Sequence, residues 1–219
     1  MGKNYGIKLI LNENISNGER NGEILRIYLL RHGETDWNKE ERLQGHKDIL
    51  MNEQGIMQIK EVASHIHSNS MEIDVIISSP LCRARMSAEI VAEEIGYFCK
   101  NIIIEPLFIE RSFGNAEGLT KEERSDKSEE EYGMESVEML CERAKKGITK
   151  YIERDEKQNI LIVAHGAIIK AIIVALADGN IIYNDDSVDI RQGDIMCLEY
   201  EKGKKTKIWQ NLIKQSEAG

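Results

Sequence analysis

The fold of this chain is decided by the stretch Ile27-Tyr28-Leu29-Leu30-Arg31-His32-Gly33, in which an arginine and a histidine follow an apolar run. A second stretch repeats the pattern, since Ile160-Leu161-Ile162-Val163-Ala164 leads directly into His165-Gly166. Each apolar run predicts a buried strand, and each glycine predicts the turn that follows it. In an open parallel α/β sheet, ligands bind at the carboxyl ends of the strands. The sequence therefore predicts that His32 and His165 face one pocket, and Arg31 indicates that the pocket holds an anion.

The composition narrows the class of protein. The 219 residues are 41% hydrophobic and carry a net charge of −9, from 29 basic and 38 acidic residues. This acidic balance argues against nucleic acid or an anionic membrane as a partner, because both select basic surfaces. No apolar run approaches the roughly 18 residues of a membrane span. The cysteines are scattered without a CxxC pair, which predicts reduced thiols and a cytoplasmic location.

Strands alternate with helices from residue 24 onward. Buried strands are predicted at residues 24–30, 73–77, 102–104 and 160–163, and a closing hairpin at 195–200 and 205–211. Amphipathic helices are predicted after the cap residue Asn52, over residues 137–152 and over 168–176. A further helix is predicted to start at Ser79-Pro80, with Ser79 as its cap and Pro80 at the first helical position. The alternation predicts an α/β protein with a mostly parallel sheet that helices cover on both faces.

The chain divides into a leader and one domain. Residues 1–23 are polar and rich in Asn and Gly around a short apolar segment, so they are either disordered or an added edge strand. Residues 24–213 form the predicted single domain, with a short, highly charged lid segment near residues 115–136. The leader is one candidate contact surface, and a homodimer is left open.

Longer blocks around the two histidines carry a family signature. They are Leu30-Arg31-His32-Gly33-Glu34-Thr35-Asp36-Trp37-Asn38, Arg42-Leu43-Gln44-Gly45, Ser78-Ser79-Pro80-Leu81-Cys82-Arg83-Ala84, Leu107-Phe108-Ile109-Glu110-Arg111-Ser112-Phe113-Gly114, Gly133-Met134-Glu135-Ser136 and Ala164-His165-Gly166. Together and in this order they resemble the histidine phosphatase superfamily, the phosphoglycerate mutase-like proteins. The resemblance covers residues 25–200 and implies a three-layer α/β/α fold of the phosphoglycerate mutase-like type.

The resemblance also implies the reacting groups. His32 is the implied nucleophile that becomes a phosphohistidine, and its imidazole must be uncharged for that role. Glu110 is the implied general acid, which protonates the leaving oxygen and then activates water. His165 is the implied hydrogen-bond donor to the transferring phosphoryl group. As isolated residues, the two histidines would be core histidines that close a strand, and Glu110 would be a surface carboxylate paired with Arg111.

A phosphate clamp completes the implied site. Arg31 and Arg83 suit a phosphate because planar guanidinium groups hold its oxygens through paired hydrogen bonds. Taken alone, Arg83 would be a helical surface arginine that pairs with Glu89 or Glu93. The remaining implied phosphate contacts are Asn38, Gln44 and the backbone amides of Gly166 and Ala167. The other histidines, His46, His65 and His67, lack the partners of a metal site and are interpreted as surface residues.

The predicted activity is therefore a metal-independent phosphomonoester hydrolase of the histidine phosphatase type, without a cofactor, that acts on a small phosphorylated metabolite. The segment after Leu119 is short and lacks the basic insert of phosphoglycerate mutases, which favours hydrolysis. The stretch Gly118-Leu119-Thr120-Lys121-Glu122 resembles those mutases, so cofactor-dependent phosphoryl transfer is the alternative. A non-catalytic scaffold that binds phosphorylated ligands is a third hypothesis.

Overall fold

A seven-stranded sheet forms the middle layer of the fold in the computed structural model, which describes residues 9–11, 25–124, 127–153, 158–177, 183, 188–200 and 207–210. The strands are β1 (Leu9–Leu11), β2 (Leu25–Arg31), β3 (Val75–Ser78), β4 (Ile103–Ile104), β5 (Ile160–Ala164), β6 (Ile195–Tyr200) and β7 (Lys207–Gln210). The α-helices of the described residues are α1 (Asp36–Lys39), α2 (Glu53–Ser68), α3 (Cys82–Glu94), α4 (Val137–Ile152) and α5 (Gly166–Leu176). The strand order is β1-β7-β6-β2-β5-β3-β4. Only β6 runs against its neighbours, β2 and β7, among the strand pairs of the described residues.

Both faces of the sheet are buried. In β2, Ile27 and Leu29 point into a core that α4 and α5 cover, whereas Tyr28 and Leu30 point into a core that α2 and α3 cover. Successive side chains of a strand point to opposite faces, so a strand between two helical layers must be apolar at every position. The structure thereby confirms the predicted three-layer α/β/α class with a mostly parallel sheet.

The start of α2 is as predicted, and the start of α3 is not. The Asn52 side chain caps α2 by accepting a hydrogen bond from the Gly55 amide at 2.9 Å. The helix predicted from Ser79-Pro80 begins at Cys82 instead, and its N-cap residue Leu81 provides no side-chain cap. The prediction was wrong because the Ser79 amide extends the sheet, donating to Val163 O at 3.0 Å. Its hydroxyl lies 2.7 Å from His165 Nε2.

The edge of the sheet involves both ends of the chain. Strands β6 and β7 pair antiparallel, as the predicted closing hairpin requires, while the turn predicted between them lies outside the described residues. From the predicted leader, Leu9–Leu11 forms β1 and pairs parallel with β7; the rest of the leader lies outside the described residues. In the part of the chain that the structure describes, no helix has the length and apolar character to span a membrane.

Candidate active site

The sheet places His32 and His165 side by side. Strands β2 and β5 are parallel neighbours, and Arg31 pairs with Ala164 in their register. The next residue of each strand is a histidine, and the His32 amide donates to Ala164 O at 3.0 Å. The two ring centroids lie 5.1 Å apart. His32 is 2% exposed and His165 is fully buried.

One ring nitrogen of His32 is held by the backbone. Its Nδ1 lies 2.7 Å from the carbonyl oxygen of Gly33, and a carbonyl oxygen only accepts hydrogen bonds. Nδ1 therefore carries the proton, and the lone pair of the ring lies on Nε2. Burial, together with the positive charges of Arg83 and Arg31, holds the pKa of His32 well below its usual range. The ring is consequently neutral at pH 7.

Arg31, which is half-buried, and Arg83, which is buried, bring two positive charges to the same place. Arg31 Nη1 donates to Ile190 O at 2.8 Å. Arg83 is 1% exposed and donates from Nη1 to Lys47 O and from Nη2 to Gly45 O, at 2.7 and 2.9 Å. These carbonyls fix both guanidinium planes but do not neutralise them.

Neither guanidinium group has a carboxylate of the described residues in contact. The Nε atom of each is buried without a hydrogen-bond partner, and neither arginine forms an ion pair with a described carboxylate. Burial lowers the pKa of both groups because the charged form has lost its water. Unpaired buried donors on two cations are an arrangement that a bound anion would stabilise. The alternative interpretation of Arg83, an ion pair with Glu89 or Glu93, does not describe its contacts.

The first residue of α5, Gly166, lies next to the Arg31 guanidinium group. A Cβ atom on Gly166 would lie 3.3 Å from Cζ of Arg31, so the glycine lets the guanidinium lie close to the helix. The Ala167 amide was predicted to meet the phosphoryl group. In the structure it donates to Glu110 Oε2 at 3.4 Å, and the Ile168 amide donates to Glu110 Oε1 at 3.2 Å. The first turn of α5 therefore holds the Glu110 carboxyl group through two backbone amides.

Glu110 is buried and fixed rather than paired with Arg111 at the surface. Its Oε1 also accepts a hydrogen bond from the Arg111 amide at 2.9 Å. The Arg111 guanidinium forms an ion pair with Glu129. The backbone is held as well, because Arg143 Nη2 donates to Glu110 O at 3.2 Å and His46 Nε2 lies 2.8 Å from the same oxygen. His46 is exposed, as predicted for a surface histidine, but its contact with the Glu110 carbonyl was not predicted.

Two amide side chains complete the predicted set. Asn38 Oδ1 accepts from the amide and the hydroxyl of Thr35, at 3.1 and 3.0 Å, so its Nδ2 is the group left to contact a ligand. Gln44 is 7% exposed, and its Oε1 is buried without a hydrogen-bond partner. Both residues line the cavity described next.

A cavity of about 340 Å³ lies at the carboxyl ends of β2 and β5. The predicted residues that line it are Arg31, His32, Asn38, Gln44, Arg83, Glu110 and Gly166. His165 does not line it; its buried ring packs against His32 instead.

The cavity is also lined by residues for which no ligand contact was predicted, namely Arg42, Phe113, Lys170, Tyr183 and Asp189. Lys170 was accessible to prediction, since it follows Gly166 by four positions and residues so spaced share one face of a helix. For Tyr183 and Asp189 no local sequence signal exists.

A known protein family matches most of the chain. The family model of the histidine phosphatase superfamily (branch 1) matches residues 27–212. The chain belongs to this superfamily. Among histidine phosphatase relatives, an uncharacterized phosphatase, PhoE, of Bacillus subtilis (strain 168) is 37% identical over 156 residues, which are 70% of this chain and 78% of that protein.

Two further similar proteins are named as a mutase and as a phosphoserine phosphatase. A 2,3-bisphosphoglycerate-dependent phosphoglycerate mutase of Parvibaculum lavamentivorans is 30% identical and covers 68% of this chain and 79% of its own length. The crystal structure of a mutant phosphoserine phosphatase from Entamoeba histolytica, in complex with phosphoserine, superimposes with a TM-score of 0.70 at 27% identity. That match covers 84% of this chain and 94% of the other. The superfamily thus includes relatives named as phosphatases and as mutases.

Proposed function

We propose that this chain is a phosphomonoesterase that hydrolyses small phosphorylated metabolites through a phosphohistidine at His32. One observation carries the proposal. The neutral His32 imidazole, with its lone pair on Nε2, lines a cavity together with two guanidinium groups whose buried Nε donors have no partner. A nucleophile beside two guanidinium groups matches a phosphoryl group, which carries about −1.5 to −2 charges at pH 7.

The reaction has two steps. His32 Nε2 attacks phosphorus, the bond from phosphorus to the ester oxygen breaks, and Glu110 gives its proton to that oxygen. Water then attacks the phosphohistidine while Glu110 accepts its proton, the P–N bond breaks, and inorganic phosphate leaves. Arg31 and Arg83 stabilise the charge on the phosphoryl oxygens, which is the largest single contribution in many enzymes. Asn38, Gln44 and the Gly166 amide provide further contacts.

The lid segment predicted from the sequence bears on the choice between hydrolysis and mutase activity. The proposed lid, residues 115–136, contains short 3-10 turns and exposed charged residues. None of its described residues lines the cavity. A mutase must exclude water from its phosphoenzyme, so a cavity that none of the described lid residues lines supports hydrolysis.

Hydrolysis of 4-nitrophenyl phosphate tests the proposal. We expect turnover by the wild type, loss of essentially all turnover in His32→Ala, and an acid-labile, base-stable phosphoenzyme in the wild type after rapid quenching. His67→Ala is the matched control, because His67 is an exposed histidine on α2 and its loss should change nothing. Full activity of His32→Ala would refute the phosphohistidine mechanism.

Mutase activity is the second candidate, which the relative named as a phosphoglycerate mutase supports. The assay incubates the enzyme with 3-phosphoglycerate and a catalytic amount of 2,3-bisphosphoglycerate. Release of inorganic phosphate supports the hydrolase, whereas formation of 2-phosphoglycerate without net phosphate release identifies a mutase. Phosphate binding with neither reaction would leave the scaffold hypothesis.

We propose that the protein is located in the cytoplasm. Its proposed partner is a small phosphorylated substrate, and we expect it to bind neither nucleic acid nor membrane. These proposals are supported by the net charge of −9 and by four free cysteines. A homodimer stays a prediction, which sedimentation analysis would test.

A further inference from the structure

We propose that Ser79 is a positioning residue that fixes the proton of His165 on Nδ1, so that this N–H is the group His165 offers to the phosphoryl group. The inference rests on the proposed phosphoryl-transfer function. It concerns a residue that the sequence analysis interpreted as a helix cap.

The backbone brings the two side chains together. Ser79 directly follows β3, and its amide donates to Val163 O at 3.0 Å, which continues the pairing of β3 with β5 by one residue. His165 directly follows β5. Both residues are fully buried, and the Ser79 hydroxyl lies 2.7 Å from His165 Nε2.

The direction of this hydrogen bond follows from the surroundings of the hydroxyl. The Leu81 amide donates to Ser79 Oγ at 3.4 Å, so the oxygen already accepts one hydrogen bond. Within the described residues, His165 Nε2 is the one acceptor in contact with this hydroxyl. If Nε2 carried the proton instead, the hydroxyl hydrogen would be buried without an acceptor, which is unfavourable. Ser79 therefore donates to Nε2.

The other ring nitrogen then has a defined role. Burial, with the charges of Arg83 and Arg31, lowers the pKa of His165, and a neutral imidazole has a single N–H. With Nε2 accepting from Ser79, this N–H is on Nδ1, which is buried and has no partner. The ring lies beside His32, with centroids 5.1 Å apart. A phosphoryl oxygen carried by His32 would supply the missing acceptor, whereas the other tautomer would present a lone pair to an anion.

The test compares Ser79→Ala with Ser78→Ala. Ser78 is the matched control, because it is an equally buried serine whose hydroxyl donates to Ser79 O at 2.9 Å and not to a histidine. The tautomer of His165 is read from nitrogen-15 NMR of labelled histidine side chains, with inorganic phosphate bound. Turnover is measured with 4-nitrophenyl phosphate.

We expect the proton of wild-type His165 on Nδ1. In Ser79→Ala we expect a mixture of tautomers and a kcat reduced about tenfold, the effect of one buried hydrogen bond, with KM changed less than about twofold. Ser78→Ala should keep the wild-type tautomer and kcat, and Ser79→Thr should restore part of the loss. In a His165→Ala background, adding Ser79→Ala should lower kcat no further.

A wild-type His165 with its proton on Nε2 would overturn the inference, as would a Ser79→Ala variant with the kcat of Ser78→Ala. If Ser79→Ala does not fold, the wild-type spectrum decides alone. Absence of turnover in the wild type would instead contradict the proposed function, while the tautomer with bound phosphate could still be read.

Discussion

Replacing Arg143 with alanine should loosen the loop that carries Glu110. The Arg143 side chain extends from α4 and donates to three backbone carbonyls of this loop, those of Leu107, Ile109 and Glu110, at 2.7, 2.8 and 3.2 Å. It also binds both carboxylate oxygens of Glu135 at 2.8 Å. One side chain therefore joins α4, the Glu110 loop and the segment before α4.

The expected loss of stability is about 3 kcal/mol. Breaking a buried ion pair by removing one partner destabilises by roughly 3–5 kcal/mol, and each carbonyl left without a donor adds to this. The Arg143 and Glu135 side chains are 17% and 13% exposed, so water can replace part of what is lost, which places the value at the lower end.

The loss should depend on pH. Burial alone would raise the pKa of the Glu135 carboxyl, but the hydrogen bonds and charge of Arg143 lower it below its ordinary value of 4.5. A carboxyl whose pKa is lowered in the folded state stabilises the fold above the unfolded pKa, and this contribution disappears as pH falls through the folded pKa. The stability difference between the wild type and Arg143→Ala should therefore be full at pH 7 and shrink below about pH 4.5.

Urea unfolding of Arg143→Ala, Glu135→Gln and the double variant measures this coupling. Arg191→Ala is the control, because Arg191 is 77% exposed and lies 3.8 Å from an exposed carboxylate; its loss should change stability by less than about 0.5 kcal/mol. We further expect Arg143→Ala to impair alkyl phosphates more than 4-nitrophenyl phosphate, since poor leaving groups depend on a well-placed general acid. Stability within about 0.5 kcal/mol of wild type and an unchanged leaving-group dependence would refute the reasoning.

Three further predictions concern the site. Because burial lowers the pKa values of His32 and His165, the unfolded state gains protons first, so the free energy of unfolding should decrease as pH falls below about 6.5; urea titrations at pH 7.5 and 5.5 measure this. Arg83→Lys should lower kcat/KM about 100-fold, since one ammonium replaces neither the paired donors nor the free Nε; steady-state kinetics measure this. Gly33→Ala should destabilise by about 3 kcal/mol, because its Cβ would lie 2.3 Å from Gly55 O; thermal unfolding checks this.

Each of these has a control. A double variant with both site histidines replaced by glutamine should lose most of the pH dependence between 7.5 and 5.5, and an unchanged slope would contradict the first prediction. Arg85→Lys on the exposed face of α3 should keep wild-type kinetics, and equal loss in both arginine variants would contradict the second. Gly96→Ala meets no atom within 4 Å, although its φ is +73°, so it measures backbone strain alone; a loss as large as that of Gly33→Ala would contradict the third.

The sequence was sufficient to predict the sheet and many of the residues that line the cavity. Uninterrupted apolar strands indicate burial on both faces, and a histidine directly after each of two such strands is placed by the parallel register, as Arg31 and Ala164 show. The blocks around Arg83, Glu110 and Asn38 were correctly associated with one cavity, because these motifs occur together in the superfamily.

Contacts between distant segments were not predictable. Ser79 carries the local signal of a helix cap, yet its hydroxyl contacts a histidine 86 positions away. Arg143 binds carbonyl groups 33 to 36 positions away, and nothing in its own helix indicates this. The hydrogen bonds from the start of α5 to Glu110 are of the same kind.

The buried strands could be predicted from the sequence because their apolar residues are consecutive, and the helices because their apolar residues recur at helical spacing. The residues that follow each strand are then known from the sequence itself. Only the tertiary structure shows which groups contact the ring nitrogens of His32 and His165 and what holds Glu110 in place. Those features depend on a few buried hydrogen bonds whose partners meet only when the strands and helices pack, and hydrogen bonds act over about 3 Å.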